Sequence, residues 1–221
     1  PDSPEESFAS MGNYVFSRKQ FVDMLNLDGQ NHDSKHDMGG NIIPAFVAQR
    51  ECGVYDFTQN EVPGATEKDR NYWRDVGTID AYFDAHMDLI SVVPEFNLYN
   101  DRWPILTQQP QLPGAKFTLH GTAESSIVTN GCIISGGDVE HSVLSPGVRV
   151  EDHASVDRCV VMHNARIGRN AVLRNVILDK NVQVADGVHI GIDREADEAR
   201  GFHVSSNGVT VVPKNAKVDS I

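Results

Sequence analysis

The chain of 221 residues has few cysteines, no long apolar run and no excess of basic residues. Its three cysteines form no C-x-x-C pair, which indicates reduced thiols in a cytoplasmic protein. No apolar stretch approaches the roughly eighteen residues that a membrane span needs, so we expect a soluble protein. Acidic residues outnumber basic ones by 31 to 19, for a net charge of −12. This balance argues against partners such as nucleic acid or an anionic membrane.

The second half of the chain, in contrast, contains a regular repeat of aliphatic residues with a period of seventeen positions. The repeat forms three columns in register, whose offsets run six, five and six residues. The columns are Ile133, Val150, Ile167 and Val184; then Val139, Val156, Leu173 and Ile190; then Leu144, Val161 and Leu178. Cys132 and Cys159 lie inside the repeat, where we expect them to be packing residues.

This spacing is typical of a left-handed parallel β-helix, in which each triangular coil has three short strands. Each strand points one aliphatic side chain into the prism. Glycine or asparagine, which tolerate positive φ, stands at the expected corners. These corner residues are Asn130, Gly131, Gly147, Asn164 and Asn181. The solenoid is predicted over about residues 121–191, followed by a charged segment and a closing strand at 209–212.

The first half of the chain alternates between strand-like and helix-like patterns, which predicts an α/β layer. Short strands are predicted at 10–16, 54–57 and 72–78. Helices are predicted after the N-cap Ser17, over 37–49 with Pro44 in a first turn or at a kink, and after the N-cap Thr78. Prolines between 94 and 117 indicate a stiff linker. The predicted domains are therefore 1–93, a linker at 94–120, and a β-helix with its cap at 121–221.

Asp75 is the strongest candidate for chemistry, because it ends a predicted strand and is followed by a glycine and a helix cap. Ligands of α/β proteins bind at such strand ends. A single carboxylate there could bind Mg²⁺ while substrate phosphates supply further oxygens. The alternative is a surface ion pair of Asp75 with Arg74 or Lys68, and local spacing alone favours it.

Other polar residues suggest weaker candidates. His32 and His36 have the spacing of a zinc half-site, but the segment opens a helix, which favours solvated histidines with Asp37 as an N-cap. The solenoid histidines (His141, His153, His163 and His189) could supply a general base as in hexapeptide acyltransferases, although exposed positions are favoured. Lys116 and Lys214 flank the solenoid, either as solvated charges or as part of an anion site between domains.

Taken together, these segments resemble one family, glucose-1-phosphate adenylyltransferase, also called ADP-glucose pyrophosphorylase, of the bacterial glycogen pathway. The resemblance covers nearly the whole chain and corresponds to the C-terminal part of that enzyme. The matching segments are SMGNYVF at 10–16, HDMGGNIIP at 36–44, YWRDVGT at 72–78, WPI at 103–105, PGAKF at 113–117 and SVLSPG at 142–147. The implied fold is the end of a Rossmann-like nucleotidyltransferase domain followed by the β-helix.

The resemblance implies that ATP and glucose 1-phosphate give ADP-glucose and pyrophosphate, with Mg²⁺ as cofactor. It implies that Asp75 binds the metal, that Trp73 lies beside it in the active site, and that Ser10 contacts the glucose. Lys116 and Lys214 match positions associated with phosphorylated allosteric effectors. It also implies a homotetramer in the cytoplasm, assembled partly through the β-helices.

The chain departs from the family pattern by lacking the Gly-rich nucleotide loop, the lysine that binds the sugar phosphate and the first metal-binding aspartate. It opens on a polar segment without an initiator methionine, so we expect it to be part of a longer enzyme. The alternative is a non-catalytic regulatory or assembly subunit of the same superfamily. A hexapeptide acyltransferase is a third possibility, but the α/β half argues against it.

Overall fold

The computed structural model of the chain describes Glu5 and residues 8–219, so most of the polar start lies outside the described residues. The chain divides into two compact units at residue 60, and each is described by itself. None of the described helices is long and apolar enough to cross a membrane. The domain limits expected from the sequence stay a prediction.

The first unit, up to residue 60, is mainly helical. It contains α1 (Arg18–Gly29), a π-helical turn (Met38–Ile42), α2 (Ile43–Ala48) and a 3₁₀ turn (Phe57–Gln59). The predicted caps are confirmed: Ser17 Oγ accepts from the Gln20 amide, and Asp37 Oδ1 accepts from the Gly40 amide. The helix predicted over 37–49 is instead a π turn followed by α2. Pro44 occupies the first turn of α2, where its missing N–H costs nothing.

The three strands predicted in the first half are wrong: the described residues before 116 contain no strand. Residues 10–16 and 54–56 form irregular coil, as do most of residues 72–78. Their composition suits a strand, but a strand exists only where a neighbouring segment completes its ladder of hydrogen bonds. No described segment does so here. The helix predicted after Thr78 is confirmed as α3 (Ile79–Leu89), which is capped by Thr78 Oγ1.

The predicted β-helix is confirmed, and its parallel strands form the three faces of the solenoid. One face has the order β1-β4-β7-β9-β11-β15. The long strands β8 and β10 each take part in two faces, because their first residues pair with β5 and β12 and their last residues pair with β6 and β14. The first strand begins at residue 116, inside the segment expected to be linker. The strands are β1 (Lys116–Thr118), β2 (Thr122–Glu124), β3 (Ile127–Val128), β4 (Ile133–Ser135), β5 (Asp138–Glu140), β6 (Val143–Leu144), β7 (Arg149–Val150), β8 (Ser155–Val161), β9 (Arg166–Ile167), β10 (Val172–Leu178), β11 (Gln183–Val184), β12 (His189–Ile190), β13 (His203–Val204), β14 (Thr210–Val212) and β15 (Lys217–Val218).

The columns that contain Val139 and Leu144 are confirmed throughout, and the column that contains Ile133 needs one correction. Ile134, and not Ile133, pairs with Val150 and is fully buried, whereas Ile133 pairs with Arg149 and is half-buried. The coil that runs from Ile134 to Val150 is therefore one residue shorter than the seventeen-residue period. A one-residue shift moves a side chain from the core face to the outer face.

The corner residues behave as predicted, with one exception. Gly131, Gly147, Asn164 and Asn181 have positive φ, between 60° and 76°. Asn130 lies at a corner without positive φ, and its side-chain amide donates to the Pro110 carbonyl at 2.8 Å. The corner positions are thus set by residues that enter the left-handed region at low cost.

The two solenoid cysteines are buried packing residues, as expected. Burial raises the pKa of the Cys159 thiol to about 12, so this thiol stays protonated at neutral pH. Neither cysteine therefore resembles a nucleophile.

An insertion that contains α4 (Arg194–Ala199) separates β12 from β13 near the far end of the solenoid. Asp197 on this helix is buried, and its carboxylate accepts from the Gly191 amide, the Thr210 hydroxyl and the Arg200 guanidinium. These donors compensate the burial of the charge. The predicted closing strand is confirmed as β14, and β15 then completes a last coil against β11.

Candidate active site

The candidate site is a turn that ends at the N-terminus of α3. The Gly77 amide donates to Asp75 Oδ1 at 3.0 Å, and the Ala81 amide donates to Thr78 Oγ1 at 3.1 Å. A side chain at position 77 would bring its Cβ to 3.1 Å from Asp75 Oδ1, which is closer than most such contacts. Because Gly77 has no Cβ, the Asp75 carboxylate can keep its position. The sequence Asp-Val-Gly-Thr therefore folds locally into an Asx turn that leads into a capped helix.

Burial alternates along the segment before this turn. Trp73 and Asp75 are exposed, whereas Tyr72 and Arg74 are half-buried. Trp73 and Asp75 are therefore both open to solvent, two positions apart in the chain. Trp73 is 47% exposed, so part of its indole is accessible to a ligand.

The half-buried residues hold this segment against the one that follows α3. Arg74 Nη2 lies 3.0 Å from Glu95 Oε2, and the rings of Tyr72 and Phe96 stack with centroids 4.9 Å apart. The Lys68 ammonium donates to the Val93 carbonyl. These contacts contradict the surface-pair interpretation of Asp75, because Arg74 and Lys68 bind other partners.

Asp75 retains one carboxylate oxygen for a ligand. Oδ1 accepts the Gly77 amide, and Oδ2 has no hydrogen-bond partner among the residues that the structure describes. Mg²⁺ sites that serve nucleotide substrates commonly use one or two carboxylates, with phosphates and waters as the other ligands. The exposed oxygen therefore fits such a metal.

Ser10 belongs to the first compact unit and Asp75 to the second. The Ser10 hydroxyl lies 2.6 Å from the Tyr14 hydroxyl and accepts from the Gly12 amide at 3.1 Å. It is exposed, so its remaining hydrogen-bonding capacity faces solvent.

Lys116 and Lys214 are both exposed, but they lie at opposite ends of the solenoid. Lys116 begins β1, at one edge of its sheet, and Lys214 lies in the turn before β15, at the other edge. Five strand spacings separate those edges, which corresponds to about 24 Å. The two side chains of one chain therefore do not form a single pocket for a small anion.

Two of the candidate histidines, His36 and His141, have acidic neighbours. His36 Nδ1 lies 2.7 Å from Asp28 Oδ2, so the ring contacts the last turn of α1. In the solenoid, ligand atoms of Glu140, His141 and Asp157 come within 4.8 Å of one another. Arg174 Nε, however, lies 3.3 Å from Asp157 Oδ2, and this cation competes with a metal.

Sequence reasoning missed the contact of α3 with the solenoid. Phe83 is buried against Val160, Ile177 and Val209, and the Arg158 guanidinium lies 5.8 Å from its ring centroid. The apolar face of α3 was visible in the sequence. Its partner was not, because the outer faces of β8 and β10 do not belong to the aliphatic columns.

Comparison with known proteins supports this assignment of the segments. Residues 1–92 match the Nucleotidyl transferase family model, and residues 113–212 match the model for the GlmU-like C-terminal hexapeptide. Glucose-1-phosphate adenylyltransferases of Cutibacterium acnes and Frankia casuarinae are each 58% identical over 99% of this chain. The Corynebacterium jeikeium enzyme of the same name is 57% identical over 99%.

These alignments cover 53% to 54% of the relatives, so the chain spans about half the length of the curated relatives it matches. The chain is thus similar, over 99% of its length, to about half the length of the glucose-1-phosphate adenylyltransferases, and within it a nucleotidyl transferase segment precedes a hexapeptide-repeat β-helix.

Proposed function

We propose that the complete protein containing this chain transfers AMP from ATP to glucose 1-phosphate, giving ADP-glucose and pyrophosphate. The observation that carries this proposal is the 57% to 58% identity to glucose-1-phosphate adenylyltransferases over 99% of the chain. The exposed carboxylate at the Asp75 turn supplies a group suited to the chemistry.

In this reaction a phosphate oxygen of glucose 1-phosphate attacks the α-phosphorus of ATP. The new P–O bond forms as the bond from that phosphorus to the bridging oxygen of pyrophosphate breaks, and pyrophosphate leaves with the electron pair. No covalent enzyme intermediate is needed, so the protein contributes mainly positioning and electrostatics. Bound Mg²⁺ would offset the negative charge on the phosphates.

The proposed roles are those that the family resemblance implies. Asp75 offers Oδ2 to the metal while the Gly77 amide fixes Oδ1. Trp73, with its partly exposed indole, shields the reacting groups from water. Ser10, held by Tyr14, hydrogen-bonds a hydroxyl of the glucose.

Regulation and assembly belong to the same proposal. Lys116 and Lys214 bind phosphorylated metabolites that control the rate, and the enzyme acts in the cytoplasm as a homotetramer in glycogen synthesis. Because the two lysines lie about 24 Å apart along the solenoid, each belongs to a separate effector contact within one chain.

The test is an assay of the purified complete protein with ATP, glucose 1-phosphate and Mg²⁺, with nucleotide sugars separated by chromatography. We expect ADP-glucose and pyrophosphate in equal amounts, with much lower yields when UTP or GTP replaces ATP. Absence of any nucleotide sugar would overturn the proposal and favour the non-catalytic subunit. Consumption of acyl-CoA would instead indicate an acyltransferase.

A further inference from the structure

Asp80, on the first turn of α3, forms hydrogen bonds with two serines that lie far along the chain. Its Oδ1 accepts from the Ser205 hydroxyl at 2.5 Å, and its Oδ2 accepts from the Ser206 hydroxyl at 2.8 Å. The serines lie in the turn between β13 and β14, 125 and 126 positions further along the chain than Asp80. Both carboxylate oxygens are therefore used in one contact.

The serine side of this contact is itself fixed. Ser205 is 5% exposed, and its Oγ also accepts from the Val209 amide at 3.0 Å. The hydrogen bonds from the Ser205 and Ser206 hydroxyls lower the pKa of the Asp80 carboxyl. At neutral pH, the ionised carboxylate thus lies in a small cluster of donors on the rigid end of the β-helix.

The α3 side of the contact leads directly to Asp75. Asp80 is the second residue of the helix, and Thr78 caps that helix. The Asx turn of Asp75 immediately precedes the cap. Asp80 lies five positions after Asp75, and two hydrogen bonds, from the Gly77 amide to Asp75 and from the Ala81 amide to Thr78, define the backbone between and around them. Movement of the start of α3 would therefore move the Asp75 carboxylate.

We propose that Asp80 is a positioning residue: its contact with Ser205 and Ser206 fixes the start of α3 on the solenoid and thereby holds Asp75 in its catalytic position. The inference rests on the proposed function for its effect on turnover. Phe83 packs α3 against the solenoid, but this apolar contact is non-directional and does not fix the helix along its axis. The two hydrogen bonds of Asp80 set the position of the helix along its own axis.

The test compares Asp80→Ala with Asp84→Ala in the complete protein. Asp84 lies one turn further along α3, is exposed, and makes no hydrogen bond or ion pair with any described residue, so it is a matched control for lost charge. For Asp80→Ala we expect kcat to fall about tenfold, the scale of a sub-ångström displacement of a reacting group. The Mg²⁺ concentration for half-maximal rate should rise about threefold, because the displaced carboxylate binds the metal less well.

Hydrogen exchange in the peptide spanning 76–82 provides a readout that does not depend on activity. Amides of Gly77 and Ala81 should exchange several-fold faster in Asp80→Ala than in Asp84→Ala, because both hydrogen bonds loosen. A variant that only lost overall stability would show a lower melting temperature without a change in Mg²⁺ dependence at 25 °C. Equal exchange and equal kinetics in the two variants would overturn the inference.

Two further variants keep the inference testable. Asp80→Asn retains one acceptor oxygen and should recover part of the lost rate. If Asp80→Ala does not fold, Ser206→Ala removes one exposed hydroxyl, and we expect the same changes on a smaller scale; exchange and Mg²⁺ dependence identical to the unsubstituted protein would overturn the inference. If the unsubstituted protein makes no nucleotide sugar, the proposed function fails, and the exchange comparison alone decides the role of Asp80.

Discussion

The first compact unit and the solenoid bury their apolar residues in different ways. In the first unit, Met24, Ile42 and Phe46 form a small buried cluster, while Val15 and Tyr55 stay largely exposed. In the solenoid, every coil places aliphatic side chains at equivalent positions, and a continuous core results. A repeat that contacts only its neighbours can be recognised from its period, whereas a non-repeating cluster cannot.

The same division separates stability from the proposed chemistry. Asp75 and Trp73 lie on an irregular segment that precedes a helix, and their neighbours hold them through a few polar and aromatic contacts. The β-helix supplies a rigid support on which α3 packs. Substitutions in the two regions should therefore affect different measurements.

The largest effect is expected for Leu173→Ala, in the second aliphatic column. Leu173 is 1% exposed, and truncation leaves a cavity between adjacent coils. The free energy of unfolding should fall by about 3 kcal/mol, measured by urea unfolding of the complete protein. Leu25→Ala is the control, because Leu25 is 41% exposed on α1 and should change stability by less than about 0.5 kcal/mol. Equal losses of unfolding free energy in Leu173→Ala and Leu25→Ala would contradict the difference in burial between the solenoid core and α1.

Asp75→Asn tests the chemical side of the comparison. The amide keeps the shape and an acceptor for the Gly77 amide but removes the charge that binds Mg²⁺. We expect kcat to fall by about a hundredfold or more, the loss typical of one key electrostatic group, with an unchanged unfolding transition. Asp84→Asn should retain full turnover. Turnover near that of the unsubstituted enzyme at saturating Mg²⁺ would exclude the metal role of Asp75.

Asn181→Ala addresses the corners of the solenoid. Asn181 has φ of 61°, and its side chain donates to Asn215 Oδ1 at 2.9 Å. Alanine in the left-handed region and loss of the hydrogen bond should together lower the free energy of unfolding by about 1–2 kcal/mol. Glycine adopts positive φ without strain, so Asn181→Gly should lower the free energy of unfolding by less than Asn181→Ala does. Because both variants lose the hydrogen bond to Asn215, an equal or larger loss for glycine would show that the left-handed backbone does not account for the effect.

The smallest effect on basal rate is expected for Lys214→Ala. The side chain is exposed at the end of the solenoid, so basal turnover should stay within about twofold. The response to phosphorylated activators should weaken, because a cation for their phosphate is lost. Lys217→Ala, a neighbouring exposed lysine, is the matched control. Identical activation curves for Lys214→Ala and the unsubstituted enzyme would exclude Lys214 from an effector site.

Much of the candidate site was readable from the sequence because its contacts are local. The Asp75 turn, the Thr78 cap and the helix after it depend on residues within a few positions of one another. The pairing of Arg74 with Glu95 was not readable, since an equally plausible partner lay next to it in sequence. Local spacing alone favoured the wrong ion pair.

The sequence by itself determined the β-helix, most of its core columns, its corner residues and the caps of the helices. Each depends on a short-range rule: a period, a backbone preference or a side chain that reaches an amide three residues away. Only the tertiary structure decided that Ile134 replaces Ile133 in the core, that the strand-like segments before residue 116 remain unpaired, and that Asp80 meets Ser205. These outcomes depend on coil length, on partners for backbone hydrogen bonds and on contacts between distant residues, which no local pattern specifies.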